Sequence, residues 1–429
     1  MDLLIKDGRV IDPATGQDGV ADILISESKI RSIGPKIAPP KNATILDASD
    51  LIVMPGLVDM HCHLRDPGDP EEETIASGTR SAALGGFTSI ACMANTSPVI
   101  DTPALVKYIK SKAQMEGAVN VFPIGAVTKG LKGEELAEMG RMIAEGAVGF
   151  SDDGKPVVSA EVFRRALEYA RQFDVAVISH AEDPTLSAGG QMNESLKSTV
   201  LGLKGIPRQA EESMVMRDIM LAREFGRVHI THISTAGSVE LVRMAKAEGV
   251  PVTCDTCPHY FTITEEEIEG YNTYAKVNPP LRGEKDLEAV IAGLKDGTID
   301  AISTDHAPHR EEEKNIEFGH AASGMVGFET ALALVLTELV EPGSLTLKKA
   351  IEKMTVNPAR ILNIKKGVLK VGWDGDAIIV DPNAEWTVNI KNFTSRSKNS
   401  PYDGWKLKGK VLYSIVGGRI VVKDGQLTV

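Results

Sequence analysis

The sequence predicts a (β/α)8 TIM-like barrel with a small β-sandwich domain formed from both chain ends. Three observations carry this. From residue 51 onward, short β-rich runs alternate with longer segments of helical period; the runs number eight; and the first fifty and last sixty residues lack the alternation. The expected division is therefore residues 1–54 as one part of the β-domain, 55–364 as the barrel, and 365–429 as the rest of the β-domain.

At the start, "LLIKDGRVID" and "DILISESKIRSIG" read as short strands and turns. The barrel strands follow as "LIVMPGLVD" (51–59), "FTSIACM" (87–93), "VNVFPI" (119–124), "AVGF" (147–150), "DVAVIS" (174–179), "RVHITH" (227–232), "VPVTCD" (250–255) and "IDAIST" (299–304). Between them lie amphipathic helices such as "SAEVFRRALEYARQF" (159–173), with Ser159 as its cap, and "QAEESMVMRDIMLAREF" (209–225). The helical "LTLKKAIEKMTVNPARIL" (345–362) closes the barrel before "GDAIIVDP" and "GKVLYSIVGGRIVVKDG" return to the β-domain. Each end alone is too short for a well-covered sheet, so the two are expected to pair.

With 429 residues and 42% hydrophobic content the chain can bury a large core. Its formal charge of −12, without a basic block, argues against nucleic acid and favours a small-molecule substrate. The start "MDLLIKDGRVID" alternates apolar and polar residues unlike a signal peptide, and no apolar run reaches membrane-span length. Four cysteines, Cys62, Cys92, Cys254 and Cys257, do not make a disulfide scaffold in so long a chain. A reducing, cytoplasmic setting is expected.

The chemistry gathers at the strand ends. In "VMPGLVDMHCHLRDPG", His61, His63 and Arg65 share one face if the extended geometry persists to residue 65. Strand five ends in "SHAED" with His180, strand six in "THIST" with His232, and strand eight in "STDHAPH" with Asp305; strand four is followed by "SDDGKP" with Asp152 and Asp153. Reactive residues of such barrels sit at the C-terminal strand ends, so these side chains are expected to converge. His61, His63, His180, His232, Asp305 and one aspartate of the pair make six nitrogen and oxygen ligands, more than one zinc needs. Two metals about 3.5–4 Å apart with a bridging water follow, zinc first, with cobalt, manganese or iron able to use the same set. That set implies hydrolysis by a bridging hydroxide, with Asp305 placed to carry a proton to the leaving nitrogen.

These stretches, with "ACMANTSP", "GFSDDGKPV" and "KVNPPLR" in this order, closely resemble the dihydroorotases of the bacterial class I type, within the amidohydrolase superfamily. The resemblance covers essentially the whole chain. It implies reversible closure of N-carbamoyl-L-aspartate to L-dihydroorotate in pyrimidine (UMP) biosynthesis. Two zinc ions are implied, one held by His61, His63 and Asp305, the other by His180 and His232, with Asp153 bridging and Asp305 as proton shuttle. Implied substrate contacts are His63, Arg65, Asn95, Asn278 and His309, with backbone around Ser323 and Gly324. A homodimer, and association with an aspartate transcarbamoylase, belong to the same expectation.

Two departures matter. Many cyclic amidases bridge their metals with a carbamylated lysine after strand four, whereas here "VGFSDDG" supplies aspartate, and Lys155 lies past the turn. Residues 320–323 are smaller and more polar than the family pattern. Other readings remain: Asp152 as the residue that makes the turn presenting Asp153, "CDTC" (254–257) as plain packing, His229 as structural, His259 as a group behind the ligands, and His306 with an open role. The charged "HREEEKN" (309–315) reads as a mobile loop and lid, or simply as a solvated surface loop, the two not being exclusive. Alternative functions are a hydantoinase or allantoinase, or a non-catalytic scaffold for the transcarbamoylase. The intact ligand set counts against the scaffold.

Overall fold

The computed structural model describes residues 2–429. Its centre is an eight-stranded parallel sheet of Leu57–Cys62, Phe87–Cys92, Asn120–Gly125, Gly149–Phe150, Val177–Ser179, Val228–Ile230, Val252–Thr256 and Ala301–Ile302, neighbours in that order. A parallel bridge between Cys62 and His306 joins the last strand's exit to the first strand's end, and the His63 amide donates to the His306 carbonyl at 2.8 Å. The sheet thus comes round on itself as a (β/α)8 barrel.

Helices cover the outside because their apolar residues recur at helical spacing. In Ala160–Arg171 the buried residues are Phe163, Ala166, Leu167 and Ala170, and the Ser159 hydroxyl caps the helix by accepting from the Val162 amide. The long helix Gln209–Phe225 buries Met214, Val215, Asp218, Ile219 and Ala222 on its inner face. The run 345–362 forms two helices, Leu347–Met354 and Val356–Ile361, after which the chain leaves the barrel.

Both chain ends share one mixed sheet. Ile52–Pro55 pairs in parallel with Leu3–Asp12 on one side and antiparallel with Ala377–Thr387 on the other, joining N-terminal strands to C-terminal ones. The expected first barrel strand, 51–59, is therefore two strands in two sheets. Its break is Gly56, where an added Cβ would lie 2.0 Å from Thr88 Oγ1. Only glycine lets the backbone pass that close to the second barrel strand. Leu57 then begins the barrel two residues after Pro55 ends the other sheet.

Candidate active site

A cavity of about 360 Å³ opens at the C-terminal ends of the barrel strands. Its lining includes His63, Arg65, Asn95, Asp153, His180, His232, Asn278, Asp305, His309, Ser323 and Gly324, with His61 fully buried beneath. The twelve residues singled out in the sequence as ligands or substrate contacts thus lie at one rim.

Asp153 sits at the centre. Its Oδ1 is 3.5 Å from His61 Nε2, His180 Nδ1 and His232 Nε2, and its Oδ2 is 3.5 Å from His63 Nε2. Asp305 Oδ1 lies 3.5 Å from His61 Nε2 and 3.2 Å from His63 Nε2. Two ligand atoms that share a tetrahedral ion at about 2.1 Å each stand about 3.4 Å apart, so the 3.5 Å separations fit common ligation, while His63 Nε2 at 3.2 Å from Asp305 and His180 Nδ1 at 2.9 Å from His232 Nε2 are within direct hydrogen-bond distance. His61 Nε2 and Asp153 Oδ1, which face each other, are buried without a hydrogen-bond partner. Orphaned buried polar atoms are rare in folded proteins, and a cation between them removes the anomaly. The residues therefore fit a two-metal centre.

The electrostatics agree. Burial disfavours charge on the Asp153 carboxyl, yet His61, His180 and His232 hold it well below the usual range. Burial likewise pulls the His61 and His180 imidazoles down, but the carboxylates win: Asp153 and Asp305 raise His61 to about 9, and Asp153 with Glu182 raises His180 to about 10. The cluster is built to hold positive charge beside its carboxylates.

Neighbours aim the ligands. Asp152 accepts from the Val127 and Thr128 amides at 2.8 and 3.0 Å, which fixes the turn and turns Asp153 inward. The Asn95 carboxamide oxygen takes the His63 Nδ1 proton at 2.9 Å, leaving Nε2 free toward Asp305. Asp255 accepts from the His232 amide at 2.6 Å and from Thr231, whose Oγ1 is 2.7 Å from His61 Nδ1. His229 supports it from the far side, with Nε2 3.0 Å from Asp255 Oδ2. Asp59 accepts from the Thr304 amide and hydroxyl at 2.9 and 2.7 Å, just before Asp305. Sequence reading missed Asp59, Thr231 and Asp255, because each lies within a strand or one residue past its end and shows its role only when strands are side by side.

Three site residues adopt left-handed backbone: Arg65 at φ 54°, His232 at 41° and Asp305 at 44°. Strand alternation ends at Cys62, so Arg65 reaches the cavity by this kink rather than by sharing the strand face of His61 and His63. Such conformations in non-glycine residues cluster at functional sites. Arg65 is then clamped: its Nε lies 3.0 Å from Glu72 Oε2, and its outer nitrogen 3.3 Å from His309 Nε2. Glu72 Oε1 is also 3.0 Å from His309 Nδ1, so one carboxylate holds two cavity residues. Glu182, 3.5 Å from His180 Nε2, and Asn278, at 3.3 Å, back the opposite wall. The signal for Glu72 and Glu182 was their nearness in sequence to Arg65 and His180.

The charged run after strand eight is not wholly solvated. Glu311–Lys314 is a helical turn, and Lys314, 1% exposed, donates to the carbonyls of Ala322 and Gly324 at 2.7 and 2.9 Å. Burial pushes its ammonium down to about 7. His306 stacks on Phe328 at 4.0 Å and contacts Glu73, outside the cavity. All four cysteines are buried and unpaired. Among the described residues, no helix is long and apolar enough to cross a membrane.

Comparison with known proteins agrees with this site. The model of the amidohydrolase family matches residues 52–421. The chain is 58% identical to a dihydroorotase of Acetivibrio thermocellus over 98% of its length and 99% of the relative's. It is 56% identical to one of Citrifermentans bemidjiense over 98% and 99%. Among solved structures, an L-hydantoinase from Arthrobacter aurescens superposes with a TM-score of 0.90 at 28% identity, covering 100% of this chain and 97% of that one. A dihydropyrimidinase from Brevibacillus agri, at 0.86 and 22% over 100% and 96%, shares the fold. By fold, by ligand cluster and by sequence over nearly its whole length, the chain belongs to the amidohydrolase family and, within it, to the dihydroorotases.

Proposed function

We propose that this enzyme interconverts N-carbamoyl-L-aspartate and L-dihydroorotate at a two-zinc centre held by His61, His63, His180, His232, Asp153 and Asp305. The observation that carries the reading is the buried ligand cluster, with its unpartnered His61 Nε2 and Asp153 Oδ1, opening onto a cavity walled by Arg65 and His309. Zinc is chosen because imidazole dominates the ligand set. Such ions supply a water ionised near neutral pH and polarise the carbonyl under attack.

The chain's own residues do the rest. Arg65 offers its outer N–H groups to the substrate carboxylate, with Asn95 and His309 beside it. Backbone at Ser323 and Gly324 meets the ring, on a segment that Lys314 fixes from behind. The Asp305 carboxylate, kept ionised by His61 and His63 against the pull of burial, takes the proton of the attacking water and passes it to the departing ring nitrogen. In the closing direction the same oxygen receives the proton from the ureido nitrogen. Buried, unpaired thiols suit the expected cytoplasmic setting. The homodimer and the transcarbamoylase contact rest on the family resemblance, and analytical sedimentation of the purified chain alone and with that enzyme tests both.

The likeness to an L-hydantoinase gives the rival reading, a hydantoin-ring opener. Turnover of dihydroorotate and of hydantoin by one metal-loaded preparation separates them. Preference for dihydroorotate, lost on Arg65→Ala mainly through KM, is expected; preference for hydantoin overturns the reading.

A further inference from the structure

The diagnostic that marks the metal centre also marks a place behind it. His259 Nε2 is a buried imidazole nitrogen with no hydrogen-bond partner, in a side chain 2% exposed. Through one of its ring nitrogens His259 sits with Cys257 Sγ and a carboxylate oxygen of Asp305 in a fully buried triad whose ligand atoms all lie within 4.8 Å of one another. Cys257 Sγ also lies 3.5 Å from the Ser303 hydroxyl, within reach of a weak sulfur hydrogen bond. Neither Cys257 nor His259 has a part in the reaction proposed above.

We propose that Cys257, His259 and Asp305 form a third cation site, selective for soft divalent ions, whose occupation inhibits the enzyme by engaging Asp305. The donor set sets the selectivity. A thiolate with an imidazole favours zinc, cobalt or cadmium over magnesium or calcium, which prefer all-oxygen ligands. Binding forms the metal–sulfur bond as the thiol proton leaves to solvent, with no change of oxidation state. Engagement of Asp305 removes the carrier that moves the proton to the leaving nitrogen. The inhibition, though not the binding, rests on that reading of Asp305. Cys257 and His259 lie outside the cavity lining, so the ion enters through local opening of the barrel mouth and inhibition develops slowly.

Cobalt(II) tests this, because a cobalt–thiolate bond gives a near-ultraviolet charge-transfer band that histidine and aspartate ligands do not. The full-length enzyme, stripped of metal, is titrated with cobalt while absorbance and dihydroorotate turnover are followed together. Turnover should rise over the first two equivalents without the band, then fall as the band grows with further cobalt. In Cys257→Ser, and in Cys257→Ala as a check on packing, the band should vanish. The cobalt concentration needed to inhibit should rise by at least about tenfold, with turnover at two equivalents retained. Absence of the band at any loading, or its persistence in both variants, overturns the site. A band that grows while turnover is undiminished overturns the inhibitory role. Failure of the first two equivalents to give turnover would instead count against the reading of the main centre, which the band does not depend on.

Discussion

Glu72→Gln is the sharpest test of how the cavity is organised. The Glu72 carboxylate sits 3.0 Å from Arg65 Nε through one oxygen and 3.0 Å from His309 Nδ1 through the other, with side-chain exposures of 10%, 15% and 14% for the three residues. The Arg65 Nε–H itself goes to the Pro308 carbonyl at 3.2 Å, so Glu72 holds Arg65 as an ion pair and His309 by a hydrogen bond; a hydrogen bond to a charged group contributes about 1.5–3 kcal/mol, and a neutral one about 1. The amide keeps one acceptor and turns an N–H toward either Arg65 or His309, so about 1–3 kcal/mol of their orientation is lost. At about 1.4 kcal/mol per tenfold, KM for dihydroorotate should rise roughly 5- to 150-fold. Because Asp305 and the ligand cluster are untouched, kcat should change by less than about threefold. Steady-state kinetics on a variant with unchanged metal content separates the two constants. An unchanged KM would refute the clamp, and a lower KM would mean that Glu72 competes with substrate for Arg65.

Three further perturbations probe other levels. Asp153→Asn removes the charge shared by four histidines; metal analysis after gel filtration should fall from two ions per chain toward one, with turnover down by at least about a hundredfold, whereas full metal content would contradict its bridging role. Glu329, buried and raised to about 7 by burial against the bonds from Ser81, Thr394 and Ser395, carries more protons folded than unfolded between its ordinary 4.5 and 7. Its contribution is therefore present at low pH and lost as pH rises through 7, so Glu329→Gln should gain in unfolding free energy relative to the parent, by on the order of 2–3 kcal/mol, between about pH 5 and about pH 8; a difference independent of pH, measured by denaturant unfolding, would refute this. Gly56→Ala drives a Cβ to 2.0 Å from Thr88 Oγ1 and should lower Tm steeply or prevent folding, and a parent-like melt would show that the junction yields.

The barrel was legible because its period is written locally: eight β-rich runs, each followed by a helix whose apolar residues recur every three or four positions. Ser159 and the full extent of Gln209–Phe225 were readable for the same reason, since caps and amphipathic faces are short-range. The junction at Gly56 was not. Nothing in "LIVMPGLVD" tells one strand from two, and the break depends on Thr88 of a neighbouring strand. At the site, the histidines and aspartates stood out by residue type and position at strand ends. What aims them did not, because Asp255 under His232, Asp59 beside Thr304 and Glu72 between Arg65 and His309 become neighbours only on folding. Lys314 was misplaced for a related reason. A lysine in a run of glutamates reads as solvated, yet three carbonyls, from Lys276, Ala322 and Gly324, receive it inside the protein.

The central claim is that the His and Asp cluster holds two metal ions that make this chain a dihydroorotase without help. The most direct test measures dihydroorotate ring opening by the purified chain, stripped with chelator and then restored with counted zinc. Turnover that is absent without metal and reaches its full value at two equivalents is the predicted result. Turnover that survives chelation and metal removal, or no turnover at any loading by a folded chain, would contradict it.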